Sequence, residues 1–239
     1  MVVDLQIIKP LKLQGIMKKL RIKDVVKFRR KAEGPRETFI HNLKTANDKQ
    51  NDGDARNYWV RSESAVKNTF RYDNPEYISD KLNELLLDTA HHSNTIKQYK
   101  HNVTILNHFE NFDFSVLKPP VGITILPQHN ENKILAINGL PIESAPSFVY
   151  SFKNDGNDEV GAIWFVAQKD GFKREELGMF ADILSRYLKL YFSKKYDINH
   201  KYCIVVDLYN GSYIDYLQLE EGAIPKVLNR TLDEIKKIV

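Results

Sequence analysis

The chain has 239 residues, of which 42% are hydrophobic and 28% charged, and its net charge of +4 suits a folded protein better than a disordered one. Its longest apolar runs, such as residues 160–167, are far shorter than the roughly 18–20 residues that cross a bilayer, and MVVDLQIIKPLKLQG lacks a signal-peptide pattern. A single cysteine, Cys203, excludes an internal disulfide and a cysteine-rich zinc site, so we expect a soluble cytoplasmic protein with no membrane contact.

The first fifty residues contain short apolar pieces and one helix signal. VVDLQIIKPLKL (residues 2–13) and KDVVKF (residues 23–28) predict edge strands, the first interrupted by a proline. Pro35 suits the first turn of a helix, and the apolar residues that follow it predict a short buried stripe. Residues 47–57, NDKQNDGDARN, predict an exposed loop.

Residues 58–110 predict a cluster of three helices. Apolar residues recur at three- and four-residue steps from Tyr58 to Phe70, and Asn74-Pro75 marks the start of a second helix. Apolar residues at helical spacing predict the third helix between Thr95 and Phe109. Because apolar residues recur at helical spacing throughout this region, we expect the N-terminal half to be mainly helical.

After a Pro-Pro pair the pattern changes to strands. GITIL, KILAI, SFVYSF and VGAIWFVA alternate with turn residues and predict an antiparallel meander, in which KNDGND is the clearest hairpin loop. A long amphipathic helix follows Gly171, and YCIVVDLYN with GSYIDYLQL predicts a further hairpin across Asn210-Gly211. A short helix is expected at residues 230–239.

These patterns predict an α+β fold with a helical N-terminal half followed by a mostly antiparallel or mixed sheet packed against one long helix. The expected division is a basic, mainly helical N-terminal region at residues 1–111 and an α/β C-terminal domain at residues 112–239.

The order of three strands, a helix and a strand between residues 122 and 208 resembles the core of the PD-(D/E)XK nucleases, the restriction-endonuclease-like fold. In such enzymes an acid on one strand and an acid-x-Lys triplet on the next hold Mg²⁺ and assist the attacking water. Here Ala167 and Gln168 precede Lys169, so the triplet is absent and the charge that a divalent cation needs is not supplied. A nuclease would draw its acids from scattered positions such as Asp158, Glu159 and Asp207.

Other motifs that carry chemistry are absent from the sequence. No phosphate-binding glycine loop and no GxSxG motif occur, so neither a cofactor nor a catalytic residue is predicted. No metal site is predicted either, because no HExxH-type pair appears; His101 and His108, seven residues apart, are placed to share a helix face. Asp207 ends a buried strand, where an acid commonly accepts hydrogen bonds from the following turn.

The strongest remaining feature is a basic N-terminal segment. Residues 1–50 hold thirteen Lys and Arg against five Asp and Glu, whereas the remainder holds twenty-two against twenty-six. A cluster of this kind neutralises phosphates in a salt-sensitive, sequence-independent way, and the alternative is a solvated or internally paired surface. Tyr58 and Trp59 are candidates to stack on a base or peptide, or to pack in the core. The candidate nucleic-acid-binding residues are Lys18, Lys19, Arg21, Lys23, Lys27, Arg29, Arg30, Lys31 and Arg36.

The sequence therefore favours a non-catalytic accessory or adaptor protein that binds a macromolecular partner, either a protein or a nucleic acid held by the basic segment. One alternative is a metal-dependent nuclease with a PD-(D/E)XK-like core that lacks the usual triplet. The other is a homo-oligomeric scaffold that buries exposed aromatic residues.

Overall fold

The structure is a computed structural model that describes residues 19–45, 58–88, 93–127 and 133–239. The strands are β1 (Leu20–Arg21), β2 (Thr124–Leu126), β3 (Ile134–Ile137), β4 (Leu140–Glu143), β5 (Phe148–Asn154), β6 (Asn157–Val166), β7 (Asp197–Asp207) and β8 (Ser212–Asp215). The helices are α1 (Ile22–Arg30), α2 (Glu33–Thr45), α3 (Val60–Tyr72), α4 (Glu76–Leu87), α5 (Ser93–Phe109), a 3-10 helix (Phe114–Leu117), α6 (Arg174–Tyr191), α7 (Leu217–Glu220) and α8 (Leu228–Lys236). The predicted α+β class is confirmed.

The larger sheet has the strand order β2-β5-β6-β7-β8. All its neighbours are antiparallel except β6 and β7, which are parallel because α6 carries the chain back between them. The predicted hairpin between β5 and β6 is confirmed, and Asp155 and Gly156 both take positive φ at its turn. The predicted pairing across Asn210-Gly211 is also confirmed by β7 and β8.

The smaller sheet has the order β1-β4-β3 and corrects the predicted meander. KILAI forms β3 as predicted, but β3 pairs with β4, which adjoins it through the tight turn at Asn138-Gly139. The short Asn-Gly connection makes β4 the local partner, so β5 pairs instead with β2.

The predicted strand at residues 23–28 is wrong, because this segment lies in helix α1. Ile22, Val25 and Val26 recur at helical spacing and are at most 2% exposed, so burial of one helical face outweighs the strand propensity of β-branched residues. The strand predicted at residues 2–13 and the loop predicted at residues 47–57 lie outside the described residues.

Each face of the larger sheet carries a separate hydrophobic core. Helices α1, α6 and α8 cover one face, where they pack on side chains such as Val160 and Val205. The three predicted helices α3, α4 and α5 are confirmed and cover the other face; there the ring of Phe70 stacks on Phe148 at 5.7 Å and meets Phe165 at 5.6 Å. The two cores thus draw residues from both sides of the expected boundary at residue 112, which stays a prediction.

Candidate nucleic-acid interface

Helix α1 lies across the carboxyl end of β6 and is held there by two of its cations. Lys23 Nζ donates to the carbonyl oxygen of Ala167 at 3.0 Å, and Arg30 Nη2 donates to the carbonyl oxygen of Gly171 at 3.0 Å. Both cations reach the turn between β6 and α6, because Lys23 and Arg30 are two helical turns apart on one face of α1. Lys27 lies between them and its side chain is 54% exposed.

Lys23 lies where several cations converge. Burial lowers the pKa of Lys23; the Glu63 carboxylate opposes this shift, and the positive charges of Lys27, Arg21 and Lys67 add to it. Glu63 and Lys67 belong to α3 and pair with each other. Together with Arg21 of β1, α1 and α3 thus bring four cations and the carboxylates of Asp24 and Glu63 to this end of the sheet.

Asp207, at the end of β7, holds the turn between β6 and α6 in place through hydrogen bonds. Its carboxylate accepts hydrogen bonds from the backbone N–H of Phe172 at 2.7 Å, the backbone N–H of Tyr209 at 3.0 Å and the side-chain amide of Asn210 at 3.0 Å. Burial raises the pKa of Asp207, and these donors partly offset the shift. The carboxylate is completely buried, and its contacts make it an organiser of two turns.

Gly171 is required where the turn passes closest to β7. Its φ is +67°, and a Cβ built there would lie 1.9 Å from Asn210 Nδ2 and 2.6 Å from Asp207 Oδ2. Both the left-handed backbone and the close approach exclude a side chain. The close approach holds the preceding residues, including the exposed Lys169, against the end of the sheet.

The other carboxylate near the turn, Glu176, is also occupied. Arg30 donates to its two oxygens at 2.6 and 2.5 Å, and the backbone N–H of Lys173 donates to Oε2 at 2.8 Å. Burial acts to raise the pKa of Glu176, but the hydrogen bonds and positive charge of Arg30, with the Lys173 N–H, bring the pKa below its ordinary value. Glu176 therefore anchors α1 to the first turn of α6.

Many cations of the basic segment are paired within the protein. Lys19 meets Glu143 at 3.4 Å, Arg21 meets Asp24 at 3.0 Å, Lys27 meets Asp24 at 3.8 Å and Arg36 meets Glu234 at 3.0 Å. Among the described residues, Arg29 and Lys31 form no ion pair, although the Lys31 ammonium lies 5.2 Å from the centre of the Phe39 ring. Lys18 lies outside the described residues. Nucleic-acid binding by this segment stays a prediction.

An aromatic group lies beside the same end of the sheet. The Tyr58 hydroxyl is 2.6 Å from His101 Nδ1, the Trp59 and His101 rings stack at 5.9 Å, and Tyr209 meets Trp59 edge-on at 6.0 Å. The sequence singled out Tyr58 and Trp59 but missed Tyr209, which only the turn after β7 brings to them. His108 lies two helical turns after His101 on α5, on the face that the sequence predicts the two histidines to share. It packs against Gly211 in the same turn.

The positions on which the nuclease resemblance depends lie at both ends of β6. The position of the triplet, residues 167–169, does lie at the carboxyl end of β6. The acids considered for a nuclease are not together, however: Asp158 and Glu159 begin β6, whereas Asp207 pairs with Val166 at its far end, about 25 Å away along the strand. One metal ion cannot bind all three.

Within the described ranges, no group of three or more His, Cys, Asp or Glu side chains is arranged to hold a metal ion. The same residues include no helix that is both long and apolar enough to span a membrane. Comparison with protein-family models, curated proteins and solved structures finds no significant match. The nuclease resemblance therefore rests on the order of the elements alone and carries no activity to this chain.

Proposed function

We propose that this protein is a non-catalytic accessory protein that binds nucleic acid at the carboxyl end of its larger sheet. The binding surface, the turn face, consists of Lys23 and Lys27 of α1, Lys67 of α3, and Lys169 of the turn after β6. The observation that carries the proposal is the convergence of Lys23, Lys27 and Lys67, from two helices, on the end of the sheet where the turn with the exposed Lys169 begins. Such a surface neutralises phosphates without reading base sequence.

The neighbouring carboxylates support binding in preference to cleavage. Asp207 accepts three hydrogen bonds from the surrounding turns, and Glu176 is held by two nitrogens of Arg30. Ala167 stands where the nuclease triplet would place its acid, and its neighbour Gln168 is neutral. The ammonium groups of Lys23, Lys27, Lys67 and Lys169 would attract a phosphate, although the exposed carboxylate of Asp170 lies in the same turn.

The test is a titration of fluorescently labelled DNA and RNA, single- and double-stranded, at low and physiological salt with Mg²⁺ present. We expect affinity that falls steeply with salt and products of unchanged length. Replacing Lys27 and Lys169 together by Ala should weaken binding and reduce the slope of log affinity against log salt by about 1 for each phosphate that is no longer neutralised. Arg30 is kept, because its removal would leave Glu176 buried without its partner.

Lys153→Ala is the matched control, since this lysine is 77% exposed and lies at the opposite end of the same sheet. An equal loss for the control variant would place the binding elsewhere. No binding at low salt would overturn the proposal and direct the search to protein partners. Shortened products would favour the nuclease, and a solution mass above the 27.8 kDa of one chain without nucleic-acid binding would favour the homo-oligomeric scaffold.

A further inference from the structure

The aromatic group beside the turn face has the form of a stacking surface. This aromatic shelf consists of Tyr58, Trp59, His101 and Tyr209. Trp59 is 9% exposed and forms its floor, whereas Tyr58, His101 and Tyr209 are only partly buried. Three rings with accessible surface that are packed on a fixed fourth ring offer flat apolar faces held in place before any ligand arrives.

The shelf and the turn face are joined through the backbone of the sheet end. Asp207 accepts from the N–H groups of both Phe172, in the turn face's own loop, and Tyr209, on the shelf. The next residue, Leu208, donates its N–H to the carbonyl oxygen of Val166 at 2.8 Å, immediately before the Ala167 carbonyl that binds Lys23. On the helical side, the Glu63 N–H donates to the Trp59 carbonyl at 2.9 Å, so one helical turn separates the shelf from the carboxylate that interacts with Lys23.

Because the aromatic shelf adjoins the turn face, the site should bind single-stranded and double-stranded nucleic acid differently. In a duplex the bases are stacked on one another and paired, so their faces are closed to a protein ring; in a single strand they are open. A surface that needed only phosphates would use the cations of the turn face alone. We infer that the ligand of this site is single-stranded nucleic acid, with phosphates on the turn face and an unpaired base stacked on the aromatic shelf. The inference rests on the proposed function and adds the strand state of the ligand.

The experiment compares Tyr209→Leu with Tyr209→Phe in titrations of a labelled oligothymidine, the same length of single-stranded RNA, and a blunt DNA duplex. Leucine fills the space without an aromatic face, whereas phenylalanine keeps the ring. We expect Tyr209→Leu to weaken binding of both single strands about tenfold at every salt concentration, with the salt slope unchanged, and Tyr209→Phe to bind as the parent does. Tyr72→Leu, a 55% exposed tyrosine at the far end of α3, is the positional control.

The salt slope separates stacking from a general disturbance, because displaced cations would change the slope and removal of a ring would not. Equal affinity for the duplex and the single strands, or an unchanged affinity in Tyr209→Leu, would overturn this inference and leave the proposed function intact. Absence of binding to all three probes would overturn both. A loss that is equal for Tyr209→Leu and Tyr72→Leu would also contradict the shelf.

Discussion

The Arg30 guanidinium and the Glu176 carboxylate form a two-point ion pair between α1 and the first turn of α6, with N–O distances of 2.6 and 2.5 Å. The Glu176 side chain is 3% exposed and that of Arg30 is 35% exposed. Because the carboxylate has little contact with water, the guanidinium must compensate its charge. The pair therefore fixes α1 over the sheet end, and with it the positions of Lys23 and Lys27.

Replacing Arg30 by Ala should lower the free energy of unfolding by about 2 kcal/mol, less than the roughly 3–5 kcal/mol for a fully buried pair because water screens the half-exposed guanidinium. Urea unfolding followed by circular dichroism measures the difference. Arg230→Ala is the matched control: Arg230 is 83% exposed where it meets Glu234, and its loss should cost less than about 0.5 kcal/mol. Similar losses in the two variants would show that the buried pair contributes no more than a surface one.

Acid should remove the stabilising contribution of the Arg30–Glu176 pair. The pKa of Glu176 lies below its ordinary 4.5, so its stabilising effect is complete above that pH and is lost as pH falls through the lowered value. The difference in unfolding free energy between the parent and Glu176→Gln should therefore shrink as pH falls below 4.5. Asp207, whose pKa is raised by burial, acts in the opposite direction, but it is common to both proteins and cancels in the difference. A difference that stays constant with pH would contradict the lowered pKa.

Gly171→Ala should destabilise the protein by about 3 kcal/mol, through a left-handed backbone that costs about 1 kcal/mol and an overlap with Asn210 and Asp207 that costs about 2 kcal/mol. Two other glycines separate the two effects. Gly156 has φ +85° with nothing within 4 Å of its built Cβ, so Gly156→Ala should cost only about 1 kcal/mol.

Gly34 lies in α2, its φ is not positive, and nothing lies within 4 Å of its built Cβ. Gly34→Ala should therefore be neutral or slightly stabilising. Thermal melting of the three variants shows whether their losses of stability follow this order. If Gly171→Ala cost no more than Gly156→Ala, the close approach of the turn to β7 would be wrong.

The sequence predicted individual helices and strands better than it predicted which of them pair or pack together. Helix α6 and the β5–β6 hairpin were predicted because their signals are local, namely apolar periodicity in one and Asp155-Gly156 in the other. The strand predicted at residues 23–28 failed because a short run that contains β-branched residues looks alike in a strand and in a buried helix until the surface that covers it is known.

The candidate site shows the same limit. The basic segment is visible in composition, but the pairing of Arg30 with Glu176 joins residues 146 positions apart and has no local signature. Tyr209 was missed for the same reason, since only the packing of the helical layer on the larger sheet brings its ring to Trp59. Separation along the chain, and not weak chemistry, hid these residues.

The partly buried ammonium of Lys23 predicts an alkaline effect on stability. Burial lowers its pKa from the ordinary 10.5, with Glu63 opposing the shift and the neighbouring cations adding to it. The unfolded chain therefore holds this proton to higher pH than the folded protein does, and stability should increase as pH rises from the lowered value toward 10.5. Lys23→Arg is the sharpest comparison, because a guanidinium keeps its charge throughout this range.

We expect the difference in unfolding free energy between the parent and Lys23→Arg to move in favour of the parent as pH rises toward 10.5, as measured by urea unfolding at each pH. Lys153→Arg, at a well-hydrated site, should show no such change. A parallel pH course for all three proteins would mean that Lys23 is solvated as freely as a surface lysine. The hydrogen bond to the Ala167 carbonyl would then contribute little to holding α1 over the end of β6.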